Sequence, residues 1–273
     1  MNKGRLGKMP VELKEGKAFY KLKVGEFGLD LNQLLGKKIN FFFTGDIICP
    51  GCQGKTKKSY SGGFCFPCSQ RLACCDICIV RPETCHFDKG TCREPEWGKK
   101  HCMIPHFVYL SNTSNVKVGI TRETQIFTRW IDQGAIQGLP ILKVQSRYIS
   151  GRVEKVLSEK VSDKTNWREM LKGKPLEFDL EGQRDSLFEA CGEGLDLLEE
   201  EFGEENMTFL EDSSVTPIDF PVLEYPKKVV SLSFDREKSI EGELLGIKGQ
   251  YLLFPQGVLN IRKFTSYVVD IDI

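Results

Sequence analysis

The chain has no long apolar run. Nowhere does it approach the ~18 to 20 uninterrupted apolar residues that a membrane-spanning helix needs. Its opening, "MNKGRLGKMPVELKEG", has no apolar segment behind the basic start that would mark an export signal. The expectation is a cytoplasmic protein with no membrane partner. Internal repeats and low-complexity linkers are also missing, which argues against a solenoid and against a flexible tether. Net charge is absent too, since 38 Lys and Arg balance 38 Asp and Glu. The balance is a sum of two unequal parts. Residues 1–172 hold 29 basic against 16 acidic side chains, and residues 173–273 hold 9 against 22, so the halves carry +13 and −13. From Asp185 through Pro226 there is no Lys or Arg among thirteen acidic residues. A polyanion is drawn to the first half and repelled by the second. The acidic stretch reads either as a solvated, solubilising helix or as an intramolecular mimic that folds over the basic half.

What the chain does have is cysteine, eleven in 273 residues. In a reducing compartment these read as thiolate ligands rather than as a disulfide framework. Cys49 and Cys52 in "CPGC" and Cys65 and Cys68 in "CFPC" are two Cys-x-x-Cys knuckles, each next to Gly or Pro. That spacing meets the tetrahedral demand of a structural Zn²⁺ in the manner of a zinc ribbon. Such an ion contributes ~10 to 16 kcal/mol of apparent folding energy, enough to hold a segment with little apolar core. The loop between the knuckles interleaves Lys55, Lys57 and Lys58 with Tyr60 and Phe64, a surface suited to phosphates and bases, or simply a solvated basic loop. A second cluster follows. Its expected ligands are Cys75, Cys78, Cys85 and Cys92, with His86 or Cys102 as substitutes. Cys74, beside Cys75, points elsewhere, and Cys191 lies on an apolar helix stripe as a core residue.

Periodicity divides the chain into four parts and gives the class as α+β. Residues 1–48 form an N-terminal β segment, with "AFYKLKV" and "KINFFFTG" around a helical turn at "LNQLLG". Residues 49–105 are the zinc-binding cysteine-rich segment. Residues 106–172 begin with a hairpin, "HFVYLSNTSNVKVGIT", and continue into two helices. In the first, "RETQIFTRWIDQGA", Ile126 pairs with Trp130 and Phe127 with Ile131, Gly134 ends the helix, and Arg122 and Arg129 share a face. In the second, Val153, Val156, Leu157 and Val161 face inward, and Glu154 falls near the helix start. Residues 173–273 carry the acidic helix, with its stripe of Leu187, Phe188, Cys191, Leu195 and Leu198. After it come "VVSLSF", "SIEGELLGIKG", "QYLLFP", "GVLNIRKF" and "SYVVDIDI", read as a small antiparallel sheet or barrel that the N-terminal strands complete.

Hairpin, helix with an arginine, then helix with a glutamate: from His106 to Trp167 this order resembles the GIY-YIG nuclease unit. "FVY" stands where the first triplet would be and "KVG" where the second would be, so Tyr109 and Gly119 match while Lys117 replaces the second tyrosine. Arg129, Glu154 and Asn166 fall where that family carries its arginine, its metal-binding glutamate and a downstream asparagine. With "GTCREPEWG", "KVGITR", "RWIDQGA" and "DKTNW" in order behind the knuckles, the whole chain is similar to an uncharacterised bacterial family of cysteine-rich proteins with a GIY-YIG-like segment. The resemblance implies phosphodiester cleavage. Tyr109 would help activate water, Arg129 would meet the phosphate and Glu154 would hold one Mg²⁺ or Mn²⁺, with Lys117 either a cation near the phosphate or a base. Arg122, Asn166, Lys55, Lys57 and Lys58 would bind the DNA or RNA. The alternative is a catalytically inactive zinc protein that binds nucleic acid or a protein partner on a nuclease-like scaffold. Taken singly, Tyr109 reads as a core residue, Arg129 as a partner for Asp132 or Glu154, and Glu154 as an acid favoured by a helix dipole.

Overall fold

A computed structural model describes residues 2–273 of the chain. It has α+β architecture with four antiparallel sheets. In the first sheet Asn2–Arg5 lies beside Tyr267–Asp272, followed by Lys38–Ile48 and Ser239–Glu243, and the short strand Lys55–Thr56 also pairs with Lys38–Ile48. The two terminal β segments therefore share one sheet. Two further strand groups stay local: Val11–Lys14, Lys17–Val24 and Phe27–Asp30 form one meander, and Gly246–Lys248, Tyr251–Phe254 and Gly257–Asn260 another.

The barrel expected from the sequence does not form, since no sheet among the described residues closes on itself. Tight turns explain why. Glu15 and Gly16, with φ of 48° and 75°, join Lys14 to Lys17 as a two-residue hairpin loop, and Gly249, with φ of 61°, turns the chain between Lys248 and Tyr251. Each meander is spent on its own hairpins. "VVSLSF" is not a strand, and "GVLNIRKF" stops at Asn260, whose side chain caps the helical turn Ile261–Phe264.

The fourth sheet carries the hairpin. His106–Asn112 is central, flanked by Val116–Arg122 on one side and Gln137–Val144 on the other, with Met207–Phe209 and Thr216–Pro217 along the outer edge. Alternation along the central strand serves two cores. Tyr109 joins a cluster with Trp130, Ile126 and the terminal strands, whereas Val108 and Leu110 join a second cluster on the opposite face.

The helices are α1 (Phe66–Arg71), α2 (Pro95–His101), α3 (Ile126–Gln133), α4 (Arg147–Leu157), α5 (Trp167–Lys172) and α6 (Leu180–Phe202). Gly134 ends α3 in the left-handed conformation at φ 70°, as its position suggests. Ser146 starts α4, its hydroxyl accepting from the Ile149 amide at 3.3 Å. The helix consequently begins well before Glu154, which sits in its last turns rather than near the start, away from the stabilising end of the dipole. The acidic α6 buries Leu187, Cys191, Leu195 and Leu198 in the cluster that includes Val153 and Leu157 of α4, with Phe188 packed beside them. Glu201 of α6 clamps Arg152 of α4 through two 2.8 Å bonds.

Candidate functional site

The first knuckle pair follows directly from the terminal sheet. Strand Lys38–Ile48 delivers Cys49, the short strand Lys55–Thr56 returns beside it, and α1 carries Cys68, with Cys65 at its N-cap. One sulfur from each of Cys49, Cys52, Cys65 and Cys68 lies within 4.8 Å of the other three. The Cys52 and Cys65 sulfurs are 3.7 Å apart. A tetrahedron with Zn–S bonds of about 2.3 Å has sulfur–sulfur edges of about 3.8 Å, so the spacing fits zinc. The Cys65 amide donates to the Cys49 sulfur at 3.3 Å. Burial opposes ionisation of Cys49, but the amides of Cys65, Cys52 and Gly51 outweigh it and draw the thiol below its ordinary range. The four-cysteine cluster is compatible with a structural zinc.

Of the basic loop, Lys55 is paired with Asp46 at 2.9 Å, and Lys58 lies 5.6 Å from the centre of the Tyr60 ring. Lys57, Lys58 and Tyr60 line a recess of about 460 Å³ with Arg262 and Lys263.

The four residues expected at a nuclease-like site come from four elements. Tyr109 and Lys117 stand on the two hairpin strands, Arg129 on α3 and Glu154 on α4. Gly119 lies opposite Tyr109 in the hairpin register, and a Cβ there would stand 2.6 Å from the Tyr109 hydroxyl, so only glycine leaves room for the phenol. That hydroxyl donates to Gln133 Oε1 at 3.0 Å and accepts from Arg129 Nε at 3.4 Å. The tyrosine is wholly buried and braces the arginine from behind.

In front of Arg129 opens a polar cleft of about 490 Å³, lined by Arg122, Arg129, Arg147, Glu154 and Asp163 among others. Arg122 reaches it from the end of its strand and not from a helix face shared with Arg129. Lys8 and Arg262 also border the cleft, and Lys8 is tied to Asp132 at 2.5 Å. Lys117 is 4% exposed. Burial, reinforced by Arg129, lowers its amine to about 8 against the pull of Glu154 and Asp163. Burial lifts Glu154 to about 7, helped by Asp163 and opposed by Arg129, Lys117 and Arg147. Burial thus brings an acid and an amine of opposite type close to neutrality in one place.

Asn166 stands apart from the cleft lining. Its side chain caps α5 by accepting from the Glu169 amide at 3.4 Å. Sequence reasoning missed Asp163, Arg147 and Gln133. Asp163 lies in the "SDKTNW" stretch after α4, where the only signal was an acid close behind Glu154; Arg147 and Gln133 gave none. None of the acidic residues of α6 lines the cleft; on the basic half, Glu201 pairs with Arg152 of α4.

In the second cysteine cluster, Asp76, Cys78 and His86 bring one ligand atom each within 4.8 Å of one another. Cys75 lies against Cys74, sulfur to sulfur at 3.9 Å. Cys191 is buried among the apolar residues of α6.

A family profile described as "Protein of unknown function (DUF2797)" matches residues 36–269, which include both cysteine clusters and the cleft residues from Arg122 to Asp163, while strand Asn2–Arg5 lies outside the match. The chain belongs to the DUF2797 family. No curated protein and no solved structure matches it. Across a DUF2797 chain, then, site chemistry has to be argued from the residues themselves. No helix among the described residues is long and apolar enough to cross a membrane.

Proposed function

We propose that the protein binds nucleic acid and cleaves a phosphodiester in the cleft, on a GIY-YIG-like unit with a divalent cation at Glu154. The observation that carries this reading is convergence: Arg129 and Glu154, from different helices, face one polar cleft while Tyr109 and Lys117 stand behind it in electrostatic contact with both. The order hairpin, α3, strand Gln137–Val144, α4 supports the same reading.

The roles follow from the chemistry. Arg122, Arg129 and Arg147 suit a planar, two-point grip on phosphate oxygens. Glu154 and Asp163 supply hard oxygen ligands for Mg²⁺ or Mn²⁺, which when bound stabilises charge on the leaving oxygen. Lys117, almost wholly buried behind the cleft with its amine lowered to about 8, acts on Glu154 and Arg129 through its charge rather than by touching the attacking water. Tyr109 holds Arg129 in place and, being wholly buried with its phenol pushed up by burial, contributes position rather than proton transfer. Arg262 borders both the cleft and the recess of Lys57 and Lys58, giving a basic track from the four-cysteine segment to the site.

A specific observation favours a second reading. Tyr109 and Lys117 are both almost fully buried, as in a scaffold that binds DNA, RNA or a protein partner without cutting. Labelled single-stranded, duplex and branched DNA and RNA, incubated with Mg²⁺ or Mn²⁺, separate the two. Cleavage that disappears in Glu154→Gln while binding persists supports the enzyme. Binding with no cleavage under either metal leaves the binder, and no binding at all sinks both.

A further inference from the structure

The cysteine block has no apolar core of its own, since no residue from 49 to 105 belongs to any of the three hydrophobic clusters among the described residues. The four-cysteine cluster accounts for its first third. At the centre of the rest lies a cavity of about 10 Å³, bordered by Cys78, Cys85, Cys92 and Cys102 together with Asp76 and His86. A void of that size takes one water or one ion. We propose that it is a second zinc centre, in which the thiolates of Cys78, Cys85, Cys92 and Cys102 hold one Zn²⁺.

Three of the four thiols sit in or directly after a short helical element. Cys78 sits in the helical turn Ile77–Ile79, and Cys85 follows the turn Pro82–Thr84, its amide bonded to the Pro82 carbonyl at 3.0 Å. Cys102 caps α2 by donating to the Gly98 carbonyl at 2.7 Å. A Cβ at Gly98 would stand 3.2 Å from the Cys92 sulfur and 2.9 Å from the Phe87 ring, so glycine lets α2 press directly against the cavity.

Of the competing ligands, Asp76 is held by an arginine, and His86 keeps Nε2 free, 3.6 Å from Asp76 Oδ2, so the choice between histidine and thiolate is what the variants below must read. Arg93 Nε holds Asp76 at 2.6 Å, and His86 Nδ1 is bonded to the Thr91 hydroxyl at 2.8 Å. His101 bonds the Trp97 carbonyl at 2.8 Å and stacks on its ring at 4.2 Å. Cys75 does not border the cavity, and Cys102 takes its place. Four soft thiolates match zinc better than a carboxylate that an arginine has claimed.

The centre also adjoins the cleft. The Arg147 guanidinium donates to the carbonyls of Cys78, at 3.4 Å, and Ile79, at 2.5 Å, and its amide donates to the Cys102 carbonyl at 2.7 Å. A metal that fixes Cys78 and Cys102 fixes Arg147 at the cleft wall; this consequence alone rests on the function proposed above.

Zinc analysis of the purified chain, combined with native alkylation and peptide mass mapping, tests the assignment without any mutation. Two zinc ions per chain are expected, with Cys78, Cys85, Cys92 and Cys102 protected from iodoacetamide until a chelator is added. Cys92→Ser and Cys102→Ser should each retain one ion, while Cys75→Ala and His86→Ala retain two. A single zinc in the wild-type chain, with Cys85 and Cys92 alkylated freely, overturns the proposal. So does loss of the second ion in His86→Ala with its retention in Cys102→Ser, which would assign the metal to Asp76, Cys78 and His86. Metal content is read independently of cleavage, so failure of the nuclease reading leaves this result standing.

Discussion

Replacing Glu154 by glutamine is expected to stabilise the protein at alkaline pH while abolishing any cation-dependent activity. Burial raises the carboxyl from its ordinary 4.5 to about 7, even after the attraction of Arg129, Lys117 and Arg147 is included. At 1.36 kcal/mol per pH unit the difference is worth about 3 kcal/mol. The direction follows from linkage: the folded protein favours the protonated acid, so its advantage is whole below about pH 4.5 and is lost as pH rises through about 7. Glutamine never ionises. Urea unfolding of both proteins between pH 4.5 and 8 should show matching stabilities at the acid end and a gap of about 3 kcal/mol in favour of the variant at the alkaline end. With a urea slope near 3 kcal/mol/M, that is about 1 M in midpoint. Saturating Mg²⁺ should narrow the gap by stabilising only the wild type. A variant no more stable than wild type at pH 8, or a gap of equal size at both ends, refutes the electrostatic account of this site.

Lys117→Met should likewise stabilise the fold below pH 8. Because burial lowers the amine from 10.5 to about 8, the gap fades as pH rises from about 8 to 10.5, which thermal melts across that range would trace. Gly119→Ala forces a methyl group against the Tyr109 hydroxyl and loosens Arg129, so substrate binding should weaken and the melting temperature fall by several degrees. At Gly151 a Cβ would stand 2.7 Å from the Pro82 backbone, where α4 passes the turn before Cys85; Gly151→Ala should cost about 1 to 3 kcal/mol, read by denaturant titration. Removing zinc with a chelator should expose the cysteine block to proteolysis while the two large apolar clusters keep their cooperative unfolding, and coincident loss of both would contradict the core assignments.

The elements that depend on local signals were legible in the sequence. The two Cys-x-x-Cys knuckles, the glycine that ends α3 and the apolar stripe of α6 each follow from spacing a few residues long. The start of α4 was misjudged because Ser146, its cap, stands among residues with no apolar period of their own. The barrel failed for another reason: strand alternation shows which face is buried but not which strand lies beside which, and the two-residue turns at Glu15 and Gly249 close each hairpin locally. Arg147 and Asp163 escaped notice because tertiary packing, not sequence spacing, brings them to Glu154.

The terminal sheet has a consequence for the order of folding. Strand Lys38–Ile48 finds its two long neighbours only at Ser239–Glu243 and Tyr267–Asp272, near the far end of the chain. During synthesis only its last two residues find an early partner, in Lys55–Thr56, and the stretch around Phe41, Phe42 and Phe43 stays unpaired on both edges until almost all of the chain has emerged. Closing such a loop is slow relative to hairpin formation. The first pair of knuckles follows this strand directly, so zinc can anchor its C-terminal end long before its partners exist. Metal supply during translation would then govern how much of the chain reaches the native sheet rather than aggregating.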